Sequence, residues 1–428
     1  MLNRRAAIAL VGGTALAASG GLPLARRAAA SPLARARPEE VSLDPARLAR
    51  IPAWLREEVA AGRLPGGVVA IGRKGKLAFL EAVGFRDREA NAALAPDAVF
   101  RIASMTKPIV SLGLMLLAEE GRVQIGHPVS RYLPEFAEQK VGAEGERVGR
   151  PATVQDLLRH TSGLAYGEGE DPVARAYQAA RLRDPAIDAA EFTPRLAALP
   201  LLHQPGTTWE YSFSTDVVGR IVEVVSGEDL NTFVTRRITG PLGMADSAFF
   251  LGEAARGRIA EPQADPATGP TPGQRPTLRD PLVRPARFSG GGGMVSTAAD
   301  YARFCQMLLD MGRTEETRLA SRSTIALMRA NHLPPGTRYG AGTPARFGAL
   351  APTPAMGQGF GLGFCVRTEA GRNPLPGSVG DHYWGGAYGT FFWVDPVEEM
   401  YAVLMMQAPT QRQQARHVMR HLTYQALV

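Results

Sequence analysis

Leu48, Ile51, Leu55 and Val59 recur every three or four residues, the spacing of one helix face, and predict an amphipathic helix over 44–62 that Leu64-Pro65-Gly66-Gly67 ends. Two short apolar runs follow, Val68 to Ile71 and Leu77 to Val83. Arg73-Lys74-Gly75-Lys76 joins them with the signal of a β-hairpin. Ile109, Leu112, Leu116 and Leu117 fall on one face of a helix over 105–120, with Gly121 as its stop. Helical patterns then dominate to about residue 250. Residues 251–287 are rich in Pro, Gly and Arg and read as a long surface loop. A helix from about Thr297 to Leu309 comes next. Strands at Gly363 to Thr368, Thr390 to Val394 and Tyr401 to Gln407, and a helix over 411–426, complete the pattern. Strands at both ends and helices between them predict an α+β fold. One antiparallel sheet is built from both chain ends (about 40–100 and 290–428) and flanked by helices, a mainly helical lobe (about 101–289) is inserted, and a cleft lies where the two meet.

Composition narrows the class. With 45% hydrophobic and 21% charged residues over 428 positions, the chain has the make-up of a folded globular protein, with one catalytic domain over 31–428 as the simplest division. The net charge of +7 is spread without a basic stripe, so nucleic acid is not an expected partner. Met1-Leu2-Asn3-Arg4-Arg5, the apolar run Ala6 to Leu16, and Ala28-Ala29-Ala30 before Ser31 have the layout of an export signal over 1–30. The Arg4-Arg5 pair gives it a twin-arginine character. The expected destination is the periplasm or the medium, without stable membrane insertion, since the apolar run is too short to span a bilayer. Cys305 and Cys365 are too few for a disulfide framework and read as small buried apolar residues, with a single bridge left open.

Chemistry enters at Ser104-Met105-Thr106-Lys107. Residues three apart share a helix face, so the amine can reach the hydroxyl within one turn. The helix N-terminus adds free N–H groups where an oxyanion would form. Of the 48 basic residues only four are lysine (Lys74, Lys76, Lys107 and Lys140). Lysine at 107 is therefore notable, because arginine cannot give up its proton at working pH and a desolvated lysine can. Holding a lysine neutral at pH 7 costs about 4–5 kcal/mol, which a dry pocket or a neighbouring phenol would have to lower.

Arg101-Ile102-Ala103-Ser104-Met105-Thr106-Lys107-Pro108 resembles the active-site segment of the serine β-lactamase-related family, which includes class C β-lactamases, D-Ala-D-Ala carboxypeptidases and family VIII carboxylesterases. The stretches Asp156 to Leu164, Pro205 to Ser212, Gly240 to Met244 and Gly292 to Asp300 match in the same order. The resemblance implies the β-lactamase/transpeptidase fold and a serine acyl-enzyme mechanism without metal or cofactor. It assigns Tyr211 as the second catalytic motif, working with Ser104 and Lys107. It also makes the N–H groups of Ser104 and Ala387 the candidate oxyanion hole.

The chain departs from that pattern twice. No lysine begins a K-T-G triplet; the matching segment is His382-Tyr383-Trp384-Gly385-Gly386-Ala387, and its W-G-G resembles family VIII esterases. Trp384 offers an apolar wall in place of a cation, and Gly385 and Gly386 let substrate approach the backbone. The position two after Tyr211, often Asn in amide hydrolases of the family, is Phe213. Both changes favour a small-molecule ester over a lactam or peptide. The alternatives are a β-lactamase or D-Ala-D-Ala carboxypeptidase, an acyltransferase, or an inactive homologue that binds wall fragments. His417 and His421 are four apart, but Val418 excludes H-E-x-x-H, so they read as a helix face. His160 reads as a turn residue. Gly290 to Gly293 lacks the Lys-Ser/Thr of a phosphate loop and reads as tight packing beside the cleft. Nothing in the sequence sets the oligomeric state.

Overall fold

The computed structural model describes residues 33–264, 275, 278–314 and 317–428. The expected leader over 1–30 lies outside the described residues. An eight-stranded antiparallel sheet joins the two ends of the chain. Its strands are β1 (Gly66–Arg73), β2 (Lys76–Asp87), β3 (Ala92–Ala93), β4 (Gln358–Phe360), β5 (Cys365–Arg367), β6 (His382–Gly385), β7 (Phe391–Asp395) and β8 (Met400–Met405). They lie in the order β4-β5-β6-β7-β8-β1-β2-β3. The junction of the two ends is β1 against β8, with Val68 opposite Met405 and Ile71 opposite Ala402. Lys74 and Gly75 both take left-handed φ, 50° and 78°, the geometry of a tight hairpin turn between β1 and β2.

Helices explain why β1 and β8 read as unbroken apolar runs. Helix α1 (Arg50–Ala60) packs on β1 and β2. The last helix (Arg412–Tyr424) packs on β8 and α1, while the helix Ala298–Leu309 covers β1, β7 and β8. Strands covered on both faces bury successive side chains instead of alternating, and β8 is buried at every position.

Helix α2 (Thr106–Glu119) departs from its predicted single apolar face: every residue from Thr106 to Leu117 is buried. It packs against α3 (Ser214–Ser226), so Lys107 and Ser111 are enclosed as well as the leucines. A helix apolar nearly all round belongs in an interior. The helix predicted over 44–62 is broken in two. Asp44 caps Pro45–Leu48 through the N–H groups of Ala46 and Arg47, and α1 restarts at Arg50. Strands β4 and β6 were not foreseen as strands. The expected loop over 251–287 opens instead with a 3-10 helix, Glu253–Arg258, after which Val99 bridges Ile259. Cys305 and Cys365 are free and buried, so the possible bridge is absent. Among the described residues no helix is long and apolar enough to cross a membrane.

Candidate active site

The nucleophile segment is pinned before it turns into α2. Phe100–Arg101 pairs with Val295–Ser296, the Ile102 N–H donates to Met294 O (3.1 Å), and the Met294 N–H donates to Thr106 Oγ1 (3.1 Å). Ala103, just before the serine, is held at φ 44°. A left-handed alanine costs about 1–2 kcal/mol and persists only where its surroundings impose it. Ser104 then sits in the 3-10 turn Ala103–Met105, half-exposed, while Lys107 is fully buried one turn on.

Lys107 Nζ has three acceptors: Gly291 O at 2.6 Å, Tyr166 Oη at 3.1 Å and Ser104 Oγ at 3.3 Å. It also lies 4.5 Å from the centroid of the Tyr211 ring. Three acceptors match the three N–H donors of an ammonium. Burial pushes the lysine pKa down, but the phenol oxygens of Tyr166 and Tyr211, with Asp216 further off, push it up by more. The net is a pKa above the ordinary lysine value. That direction is opposite to the neutral amine expected: the oxygens around Lys107 favour its ammonium form. Burial likewise pushes the Tyr166 phenol up to about 12 despite the neighbouring ammonium, so that phenol is protonated at neutral pH.

Tyr211 stands on the other side of the amine. Its ring lies 5.5 Å from Tyr166, 4.8 Å from His160 and 5.4 Å from both Phe347 and Trp384. Its hydroxyl accepts a hydrogen bond from Trp384 Nε1 at 3.1 Å. The half-exposed serine, the buried lysine and two phenols thus lie together.

The sequence of residues 51–424 matches the family model described as Beta-lactamase. The chain belongs to the beta-lactamase family. It is 33% identical to Esterase EstB of Burkholderia gladioli over 383 residues, covering 84% of this chain and 90% of that one. It is 35% identical to Protein Rv1367c of Mycobacterium tuberculosis (strain ATCC 25618 / H37Rv) over 370 residues, covering 83% of this chain and 88% of the other. Among solved structures it is similar to EstCE1, a hydrolase with promiscuous acyltransferase activity, at TM-score 0.74 and 26% identity, covering 89% of this chain and 99% of that one.

In this beta-lactamase family member the segment expected in place of K-T-G is strand β6 and the turn after it. Trp384 is buried, packs against Phe360 and Phe347, and donates to Tyr211. Gly385 and Gly386 follow at the strand end. Thr390 Oγ1 donates to Ile102 O at 3.2 Å, which ties this turn to the nucleophile segment, and Ala387 is exposed at its tip. Phe213 is buried at the start of α3, with its ring edge-on to Tyr166 at 4.7 Å. It therefore meets the Ser104–Lys107 cluster through Tyr166.

His160 is buried among Trp209, Tyr211 and Phe360, and burial with nearby cations holds its pKa well below the usual value. It is a neutral packing residue. Gly290 to Gly293 packs closely against the start of α3, and Asp216 holds it there by accepting from Ser289 Oγ (2.6 Å) and Arg287 (2.9 Å). His417 and His421 lie on the last helix, and among the described residues no group of three or more His, Cys, Asp and Glu could hold a metal ion.

Four contributors were missed in the sequence. Tyr166 stands two residues beyond the His160 to Leu164 motif, and reading that motif onward was the signal that could have found it. Gly291 acts through its carbonyl, which no side-chain pattern announces. Arg346 and Phe347 come from a short helix, Thr343–Phe347, in a stretch without periodicity. Arg346 lies 5.1 Å from the Tyr211 ring centroid.

Proposed function

We propose that the protein is a serine carboxylesterase working through an acyl-enzyme. The observation that carries this is the cluster in which Lys107 Nζ is hydrogen-bonded to Ser104 Oγ and Tyr166 Oη, with Trp384 where a lactamase or carboxypeptidase would present lysine. Ser104 Oγ attacks the ester carbonyl carbon, and its proton passes into the lysine–phenol cluster. The cluster returns a proton to the departing alcohol, and a water repeats the sequence to release the acid. The groups interact too strongly for one of them to be named the base in isolation. Because the resting cluster holds the lysine proton, it must first lose one, so catalysis should climb with pH. The N–H groups of Ser104 and Ala387 would hold the oxyanion. Likeness to Esterase EstB supports the ester assignment, and likeness to EstCE1, a hydrolase with promiscuous acyltransferase activity, adds acyl transfer as a second outcome. The Arg4-Arg5 leader supports a site of action outside the cytoplasm.

The test is hydrolysis of short-chain p-nitrophenyl esters by the purified protein, with Ser104→Ala as control. Full activity in that variant would refute the assignment. A nitrocefin rate matching the ester rate would favour a lactamase instead, and an added alcohol outcompeting water would mark an acyltransferase.

A further inference from the structure

The turn after β6 is braced from behind by a buried cation. Arg416, on the last helix (Arg412–Tyr424), is buried. Its Nη2 donates to Gly386 O at 2.5 Å and to Thr390 O at 3.1 Å. Among the described residues no carboxylate forms an ion pair with it, and its Nε has no partner. Burial, with Arg412 nearby, pushes its pKa down to about 9, against a smaller upward pull from the Tyr211 phenol. Its guanidinium lies 5.5 Å from the centroid of the Phe391 ring, but a buried guanidinium without a counter-charge is still costly, and structural networks normally pair it. Room for it is made by Gly385: a Cβ there would lie 2.6 Å from the Arg416 guanidinium carbon. Gly386 is equally constrained, since its Cβ would lie 2.4 Å from Ile102 O. The two glycines of W-G-G thus admit Arg416 on one side and the nucleophile segment on the other.

We propose that Arg416 is a positioning residue for the oxyanion hole, which deepens and rests on the esterase assignment above. Gly386 C=O and Ala387 N–H belong to one peptide unit. A cationic donor on the carbonyl oxygen draws electron density through that unit and makes its N–H a stronger donor. The same bond, with the one to Thr390 O, fixes the plane of the peptide and hence the direction of the N–H. Arg416 does not touch substrate. Its positive charge stands one peptide behind the position where negative charge develops on the carbonyl oxygen during attack by Ser104.

The experiment compares wild type, Arg416→Met and Arg416→Lys, all checked for folding by circular dichroism. The readouts are p-nitrophenyl butyrate kinetics and inhibition by an alkylboronic acid, whose tetrahedral adduct on the serine places an oxygen in the hole. Removing a hole donor outright costs about 100- to 1000-fold in kcat, so weakening one should cost about 10- to 100-fold in Arg416→Met. Boronate affinity should fall by a similar factor while KM stays nearly constant. Arg416→Lys keeps the charge, but its Nζ falls one bond short of the position of Nη2, and it should fall between. Wild-type boronate affinity in either folded variant overturns the proposal, as does an equal loss in KM and kcat/KM with kcat unchanged. If Arg416→Met does not fold, Arg416→Lys alone carries the decision. Fluorophosphonate labelling separates the levels. Wild type that takes no label at Ser104 sinks the esterase assignment itself, whereas labelled wild type with unshifted variants sinks only the role of Arg416.

Discussion

Two buried charge clusters in the helical part of this protein solve the same electrostatic problem in opposite ways. Asp156 is fully enclosed and accepts hydrogen bonds from Arg150 (2.6 and 3.0 Å), Arg159 (2.8 Å), Thr161 (2.8 Å), and the N–H and hydroxyl of Thr153 (2.9 and 2.8 Å). Burial alone would raise its pKa, but Arg150, Thr153 and Arg159 together hold it well below the usual carboxylate range. Lys107 is equally enclosed, yet its three partners are neutral oxygens and no carboxylate bonds to it. The first cluster locks a charge with a counter-charge and clamps the turn beneath His160 and Tyr211. The second leaves an amine among neutral oxygens, the arrangement the proposed relay needs. Full pairing marks structure, and partial compensation marks chemistry.

The predictions test that contrast, beginning with the greatest expected effect. Lys107→Met removes the proposed proton carrier, and kcat/KM for a p-nitrophenyl ester should fall about 100- to 10,000-fold. Circular dichroism should show an intact fold, and a variant that unfolds instead would make Lys107 a structural cation like Arg159. Asp156→Asn should do the reverse. Breaking the buried pair should cost about 3–5 kcal/mol in denaturant unfolding. Folded Asp156→Asn should still take a fluorophosphonate on Ser104. The sign follows from linkage. A carboxylate whose folded pKa is depressed contributes stability above its unfolded pKa of about 3.9, and that contribution is lost as pH falls toward the folded value. The gap between wild type and Asp156→Asn should therefore narrow below about pH 4.

The pH–rate profile sharpens the comparison from the other side. With Lys107 held above its ordinary pKa and Tyr166 raised to about 12, log kcat/KM should rise with pH through the neutral range. It should not level off below about pH 9; a plateau from pH 6 onward would contradict an ammonium resting state. The smallest effect belongs to Trp384→Phe. It keeps most of the wall but drops the hydrogen bond to Tyr211, at about 0.5–1.5 kcal/mol in activation free energy. That is a 2- to 12-fold loss in kcat, roughly, by the relation of about 1.4 kcal/mol per tenfold. No change in kcat would reduce Trp384 to packing alone.

The parts of this design that depend on local spacing were legible in the sequence. Ser104 and Lys107 are one helical turn apart, and the β1–β2 hairpin needed only Lys74-Gly75 between apolar runs. What depends on distant segments was not. Tyr166 reaches the amine from 59 positions away, Gly291 uses a backbone carbonyl, and Arg416 was overlooked beside the more conspicuous His417 and His421. The upward direction of the Lys107 pKa is not legible in the sequence for the same reason. Burial could be foreseen, but two phenol oxygens facing the amine are a property of the assembled pocket. Strand β4 escaped notice because Gln358–Phe360 is too short to show a period.

The most direct test is to mix the protein with p-nitrophenyl butyrate, quench in acid during turnover, and locate the acyl group by peptide mass spectrometry. A butyryl group on the peptide carrying Ser104, absent in Ser104→Ala and scarce in Lys107→Met, is the predicted result. Butyryl on any other residue, or continued hydrolysis in Ser104→Ala with no acyl adduct, would contradict it.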